Sequence, residues 1–555
     1  MLDTQTDDTF NLGLVFSAIA ETIPERDCLV VGDRRFSYAE VAERSRRLAS
    51  YLAAHGLRAH AERRDLSGHE SGQDHVALAL YNGSEYLEGM IGSYLSRTAP
   101  FNVNYRYVGA ELRYLLDDAK AKAVIFHASL APTIAEVLAD LAEPPVVLLQ
   151  VADDSGNPLI AGAVDYEDAL ASSDPAGPAV EPSADDLYVL YTGGTTGMPK
   201  GVLWRQHDIF MSSMGGRKIG TWEMVRSYDA IRHGAEHGMG LKVLMLPPLM
   251  HGAAQWASFI MFCEGATLVM AQNPRRLDAE DVWKTVEREG VNTFTVVGDA
   301  TVRPLLEELD RGHYDTSSLF AIGNGGAPLT AAVRTMITER LPNVLISDSA
   351  GSSETGAQMS TSSASGEAAG NFQPGPGAVV ASEELDVILE PGHEGIGWLA
   401  QGGWVPLGYL GDPEKSAKTF PTIEGSRYSI PGDRSRLRHD GVIELLGRDS
   451  VTINSGGEKI FAEEVEAAIA GFPGVVDVTV AGRTSERWGQ EVVAVVQLSP
   501  GTPQDPSAIV EHASALIARY KLPKDIVFVE LVQRSPSGKA DYRWAREQAE
   551  AARND

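Results

Sequence analysis

YTGGTTGMPKG, residues 191–201, follows directly on LYVLY, an apolar run of β-branched and aromatic residues at 187–191. A strand that delivers the chain into glycines, threonines and one lysine has the composition needed to wrap a phosphate chain. Gly193 and Gly194 let main-chain N–H groups approach anionic oxygens closely. Thr192, Thr195 and Thr196 add hydroxyl donors, and Lys200 adds a mobile positive charge. The loop is not a P-loop, because Lys200 stands between Pro199 and Gly201 and no Ser or Thr follows to hold magnesium. Alone, such a loop is most often a flexible surface turn, so the flanking chain has to decide.

On its N-terminal side, residues 36–56 (FSYAEVAERSRRLASYLAAHG) predict an amphipathic helix with a glycine stop. Residues 75–83 and 122–128 predict strands, 58–74 an exposed loop, and 174–185 a Pro/Ala-rich connector. On the C-terminal side the pattern predicts strands at 242–246, 293–298, 318–323 and 343–347, with a helix at 279–290. Strands separated by helices imply crossover connections and mostly parallel sheets, an α/β architecture. From residue 453 the pattern becomes compact: a helix at 462–472, strands at 475–482 and 491–498, and a helix over 506–520. About 100 residues suffice for an independent α+β domain.

A chain of 555 residues exceeds one ordinary core and implies at least two domains. Hydrophobic content of 43% and charged content of 22% are those of a globular protein. The stretch 241–250 is too short, and too broken by Lys242 and two prolines, to span a bilayer. The acidic N-terminus has no basic flank leading into an apolar core, which argues against a secretory signal. Two cysteines are too few for a disulfide framework or a zinc cluster and point to a reducing cytoplasm. A net charge of −29 disfavours nucleic acid as partner, although a local ring of donors can still hold a nucleotide.

Further glycine- and serine-rich segments recur after strands. GNGGAPL (323–329) offers glycines beside which a flat ring could lie, and DSAGSSETG (348–356) presents Glu354 as a hard oxygen ligand suited to magnesium. YSIPGDRSRL (428–437) places Asp433 in a turn, suited to a ribose diol. LLGRDSVTINSGGEK (445–459) sets Arg448 before a glycine pair, and RSPSGKADY (534–542) carries Lys539 on a turn. Taken singly, each has an ordinary role: Asp433 as a turn residue, Glu354 as a helix-start carboxylate, Lys539 as a solvated lysine, His251 as a core histidine.

Their order and company reverse that judgement. From about residue 14 to 544 the chain resembles the adenylate-forming superfamily of acyl-CoA synthetases, luciferases and peptide-synthetase adenylation domains. The segments YTGGTTGMPKGVLWRQHDIF, PPLMHGAAQW and QRSPSGKADYRWA are similar to an actinobacterial branch, some members of which activate fatty or steroid side-chain acids. The resemblance implies a large N-terminal domain of mostly parallel sheets with a β-barrel-like subdomain (1–447), a hinge at 448–451 and a small mobile α+β domain (452–555). It also implies residue roles. Thr192, Gly193, Gly194, Thr195, Thr196 and Lys200 would contact the ATP phosphates with Ser353 nearby, and Glu354 would coordinate Mg2+. Gly325, Gly326 and Ala327 would line adenine, with Asp348 available for its exocyclic amine. Asp433 and Arg448 would hold the ribose, and Lys539 would reach the acid carboxylate and α-phosphate. Ser450 takes the hinge position, and Ser455, Gly456 and Gly457 would line the path of coenzyme A. Ala350 departs from the pattern, standing where relatives commonly stack an aromatic ring on adenine.

The implied activity is an ATP-dependent acid–CoA ligation through acyl-AMP. His251, Trp256, Phe259, Val297 and Gly298 are candidates for the acyl pocket, with small neighbours leaving room for a bulky acid. Gly252 stands where amino-acid-activating relatives place an acidic anchor, which favours an amine-free acid. A non-catalytic nucleotide-binding homologue, an acceptor other than CoA and a homodimer stay open at this point.

Overall fold

The computed structural model describes residues 6–107, 109–192, 198–327, 329–363, 371–455, 458–485, 488–517, 519–534 and 539–553. Three sheets organise them. The first begins with parallel strands, Asp27–Val31, Thr267–Met270, Lys242–Leu244, Thr293–Val296, Ala321–Gly325 and Leu345–Ser352. It then turns antiparallel through Gly356–Ser363 and Asn371–Pro374 into Ile443–Arg448 and Asp433–Leu437. That antiparallel portion carries its own small core of Met359, Phe372, Val380, Leu399 and Ile443.

The second sheet is parallel through His75–Ala79, Ala99–Asn102, Ala121–His127 and Val147–Val151, and the strand Leu187–Thr192 joins it beside Ala99–Asn102. At its far side, Lys200–Arg205 pairs antiparallel with Leu187–Thr192. The largest apolar cluster fills the layer between these two sheets. Leu29 and Leu268 enter it from one side, Val76 and Tyr188 from the other, and the helix Gly252–Cys263 contributes Trp256, Phe259 and Phe262. Burying aromatic side chains of this size accounts for much of what holds the two sheets together.

The helix expected at 36–56 forms as Tyr38–Ala54. Ser37 caps it with a reciprocal Glu40 contact, and buried Val41, Ala42, Leu48 and Leu52 share one face. Two strand assignments shift. The strand expected at 318–323 lies at Ala321–Gly325, and the one expected at 343–347 runs over Leu345–Ser352. Ladder pairs Val296↔Asn324, Asn324↔Asp348 and Gly325↔Ser349 carry both strands into the polar motifs. Pairing on both sides overrides the low strand propensity of Gly, Asn and Asp.

From Ile453 onward a five-stranded sheet forms the small α+β domain, with helices Ala462–Ala470, Pro506–Ser514 and Tyr542–Ala551. The helix expected over 506–520 stops at Ser514, because the chain turns to lay Ile517 and Leu522 back on the apolar cluster around Val465 and Ile509. Among the described residues no helix is long and apolar enough to cross a membrane.

Candidate active site

The Gly/Thr loop springs from the edge of a hairpin. Thr192 pairs with Lys200 and Tyr191 with Gly201, so both ends of the loop are held in register. Gly193, Gly194, Thr195 and Thr196 lie outside the described residues. Two asparagines at the carboxyl ends of neighbouring strands fix what surrounds it. The Asn102 amide donates to Tyr191 O (2.8 Å) and Met250 O (2.7 Å) and accepts from Tyr191 N (2.7 Å). Asn82 donates to Met245 O and Pro247 O and accepts from Leu249 N (2.7 Å). Together they stitch the segment leading to His251, which belongs to the first sheet, onto the second. Neither asparagine was foreseen, since a lone Asn at a strand end carries no distinguishing pattern.

Lys200 forms an ion pair with Asp412, whose hydrogen bond raises the proton affinity of the ammonium and keeps it charged. Glu354 sits in the turn between Leu345–Ser352 and Gly356–Ser363. Its Oε1 accepts from the Tyr409 hydroxyl (2.8 Å), and its carbonyl accepts from Ser429 Oγ (2.6 Å). The indole N–H of Trp204 holds the carbonyl of Ser353 (2.9 Å). Tyr409 arrives on the short strand Gly408–Tyr409, which pairs with Lys200–Arg205. The phosphate-loop hairpin and the Glu354 turn therefore share a scaffold. No group of three or more His, Cys, Asp or Glu is poised for a metal among the described residues. One carboxylate is nonetheless a fitting donor for magnesium, which keeps several waters and takes its other oxygens from substrate phosphates.

In the segment expected to line adenine, Gly326 adopts φ +81°, a conformation that glycine tolerates without strain. Gly325 and Ala327 flank it, and Val297 lies beside it. Asn324 organises the region, donating to Ala327 O (3.0 Å) and Asp348 Oδ1 (2.8 Å) and accepting from Gly298 N (2.9 Å). Asp348 needs correcting. Rather than standing available for an exocyclic amine, it is buried, with one oxygen on Asn324 and the other in an ion pair with buried Arg334. Breaking a buried pair is costly, so Asp348 serves to fix Asn324 and the loop. Arg334 was missed because a single arginine in a helix gives no hint of burial. Ala350, the departure from the family pattern noted in the sequence, packs against the small antiparallel core.

Asp433 and Arg448 face each other as a cross-strand pair, with Arg448 Nε donating to Asp433 Oδ1 (3.2 Å). Burial pushes the Asp433 carboxyl up from its ordinary value; Glu354 adds to this, and Arg448 and Lys539 oppose it. Lys539 lies next to the bridge that pairs Arg534 with Ala540 and is close enough to Glu354, Asp433, Arg448 and His251 to act on their charges. Lys539 is exposed as a residue, yet the surrounding protein desolvates its ammonium and Arg448 repels it, so its pKa falls despite Glu354 and Asp433. His251 takes the N-cap position of Gly252–Cys263 without a side-chain capping bond. Burial, then Lys539 and Arg106, bring it down to about 4, so it is neutral near pH 7.

The acyl-side candidates divide. His251 is partly buried, Val297 lies beside Gly326, and Gly298 is held by Asn324. Trp256 is 8% exposed, donates to the Tyr188 hydroxyl (3.2 Å) and packs over Gly252, where a Cβ would crowd both Trp256 and Leu190. Phe259 is a second correction: fully buried and edge-on to Phe262 (5.8 Å), it belongs to the layer between the sheets and is not a pocket wall. An aromatic residue on an amphipathic helix is more often core than lining, and helical spacing alone cannot separate the two. Ser455 ends the strand Ile453–Ser455, Ser450 lies in the short turn Asp449–Val451, and Gly456 and Gly457 are outside the described residues.

Two parallel-rich sheets, a glycine-threonine hairpin at their junction and a small α+β domain that lends a lysine to the cleft define a nucleotide-dependent two-domain enzyme class. The chain belongs to the AMP-binding enzyme family: that family's model matches residues 16–410, and the model for its C-terminal domain matches residues 464–539. It is 58% identical to the medium-chain acyl-CoA ligase Mig of Mycobacterium avium, covering 99% of this chain and 100% of that protein. It is 38% identical to a 3-oxocholest-4-en-26-oate–CoA ligase of Rhodococcus rhodochrous, covering 95% and 94%. Among solved structures, a Mycobacterium tuberculosis fatty acyl CoA synthetase aligns at TM-score 0.69 with 25% identity, covering 98% of this chain and 99% of that one.

Proposed function

We propose that this chain is an ATP-dependent acyl-CoA ligase. It joins a hydrophobic carboxylic acid, of fatty or steroid side-chain type, to AMP with release of pyrophosphate. It then transfers the acyl group to the thiol of coenzyme A with release of AMP. The observation that carries this reading is that Lys539, after the hinge, lies within electrostatic reach of the Asp433–Arg448 pair and of Glu354, which precede Ser450 in the chain. The names of the relatives support the same reaction, and the two relatives' acids set the fatty and steroidal range.

The difficulty of the first step is electrostatic. A carboxylate anion must approach the α-phosphorus of an anionic triphosphate, so preorganised positive charge dominates catalysis. In this reading Lys539 faces the acid carboxylate and α-phosphate, and Lys200 exchanges Asp412 for phosphate oxygens. Thr192, Thr195 and Thr196 donate along the phosphate chain, with Gly193 and Gly194 offering their N–H groups. Asp433 and Arg448 take the ribose, and Gly325, Gly326 and Ala327 flank adenine. Glu354, oriented by Tyr409, would hold magnesium, which when bound neutralises phosphate charge. Neutral His251 adds no competing cation beside Lys539.

Thiol attack on acyl-AMP needs other groups at the same carbon. We assign residues 1–447 to the adenylating domain, 448–451 to a hinge pivoting at Ser450, and 452–555 to a mobile domain. Rotation would withdraw Lys539 and bring Ser455, Gly456 and Gly457 toward the pantetheine path. Two buried, unpaired cysteines fit a cytoplasmic setting. The test is pyrophosphate release with a panel of acids of increasing size, followed by acyl-CoA detection. Release with none of them would leave a nucleotide-binding homologue, and release without acyl-CoA would point to another acceptor.

A further inference from the structure

We infer that Glu463 is a positioning residue that couples the placement of the C-terminal domain to the Asp433–Arg448 pair, and that it acts in adenylation only. The inference rests on the two-step reading above. Glu463 lies on the helix Ala462–Ala470, which packs against the strand Ile443–Arg448 of the large domain. Its Oε1 accepts from the main-chain N–H of Arg448 (3.4 Å), a contact across the hinge. Gly447 makes room for it. At φ +124° this residue presents no side chain, and a Cβ there would collide with the Glu463 carboxylate. The guanidinium of Arg448, gripped through Asp433 on one side, also feels the charge of Glu463.

Two contacts and one charge thus bear on one residue. The Arg448 backbone is held by the C-terminal domain, its side chain by Asp433, and its guanidinium is repelled by Lys539. Glu463 follows the proposed pivot, whereas Gly447 and Arg448 precede it, so rotation must break the carboxylate's contact. Its other oxygen, Oε2, is buried without a hydrogen-bond partner among the described residues. A half-satisfied buried carboxylate costs folding stability. A group retained for stability alone would be better replaced by an apolar one. A contact present in one orientation only shifts the balance of orientations by its own free energy.

The test uses the full chain with decanoate. Acyl-AMP formation without CoA and CoA acylation from preformed decanoyl-AMP are timed separately. Glu463→Gln, which loses the charge, and Glu463→Asp, which keeps it but withdraws it, should each slow acyl-AMP formation about tenfold and raise KM for ATP. CoA acylation should stay within about twofold of the unmodified chain. If both steps slow equally in the two variants, or neither slows, the inference falls while the ligase reading stands. If the unmodified chain makes no acyl-AMP from any acid, the ligase reading itself falls.

Discussion

In the proposed reading, the nucleotide side and the acyl side of the cleft are built on opposite terms. On the nucleotide side, Glu354, Asp433, Arg448 and Lys539 come from separate elements and meet as charges in a partly hydrated space. On the acyl side, Trp256 and Phe259 come from one helix and are absorbed into a dry aromatic layer. Charges that oppose one another across an open cleft are poorly explained as packing, since each pays desolvation that folding alone does not require. Buried rings need no explanation beyond packing. Residues on the nucleotide side should therefore cost activity when replaced, and those on the acyl side should cost stability first.

The largest contrast is Lys539→Ala. It should lower the rate of acyl-AMP formation on the order of 10²–10³-fold while sparing thiolation of preformed acyl-AMP, because its charge is spent on the first transition state. Equal loss in both half-reactions would break the contrast between orientations. On the other side, Phe259→Ala should destabilise the chain by about 3–5 kcal/mol in denaturant unfolding. The preference among acids should not change, and a shifted chain-length profile would return Phe259 to the pocket wall.

Smaller effects sharpen the comparison. Arg448→Lys keeps the charge but loses the planar geometry of the guanidinium, and KM for ATP should rise about tenfold with little change in the melting curve. Tyr409→Phe removes the hydroxyl that orients Glu354, and the magnesium concentration for half-maximal rate should rise a few-fold, roughly the worth of one hydrogen bond to a charged group.

The smallest concerns stability near the hinge. Glu466 is pushed up to about 8 by burial and then by Glu463, from an ordinary value of 4.5. Between those values the folded chain binds more protons than the unfolded one, so stability falls as pH rises through that window. Glu466→Gln should flatten the decline in melting temperature from pH 5 to 8, and an unchanged slope would show that Glu466 does not titrate there.

The strings that the proposed function assigns to the nucleotide were legible because that chemistry calls for particular residue types in recognisable order. The Gly/Thr hairpin, the Glu354 turn and the Asp433 and Arg448 segments could all be located in one dimension. What orients them could not. Asn82, Asn102, Asp412, Tyr409 and Arg334 act through hydrogen bonds or ion pairs to residues outside their own stretch of sequence. Isolated polar residues of this kind have no periodicity to betray them. Asp348 shows the converse: a residue placed by its motif was claimed instead by Arg334 and Asn324.

The order of residues along the chain settled the family and the alternation of strands and helices, and it located the motifs proposed for the nucleotide, because periodicity and composition are local properties. Tertiary structure alone decided which carboxylate is spent on a structural ion pair, which aromatic ring is core, and that Lys539 feels the charges of Glu354 and Asp433. Those outcomes depend on burial and on the pairing of distant strands. Both are set by the free energy of the whole assembly, to which no short stretch of sequence gives access.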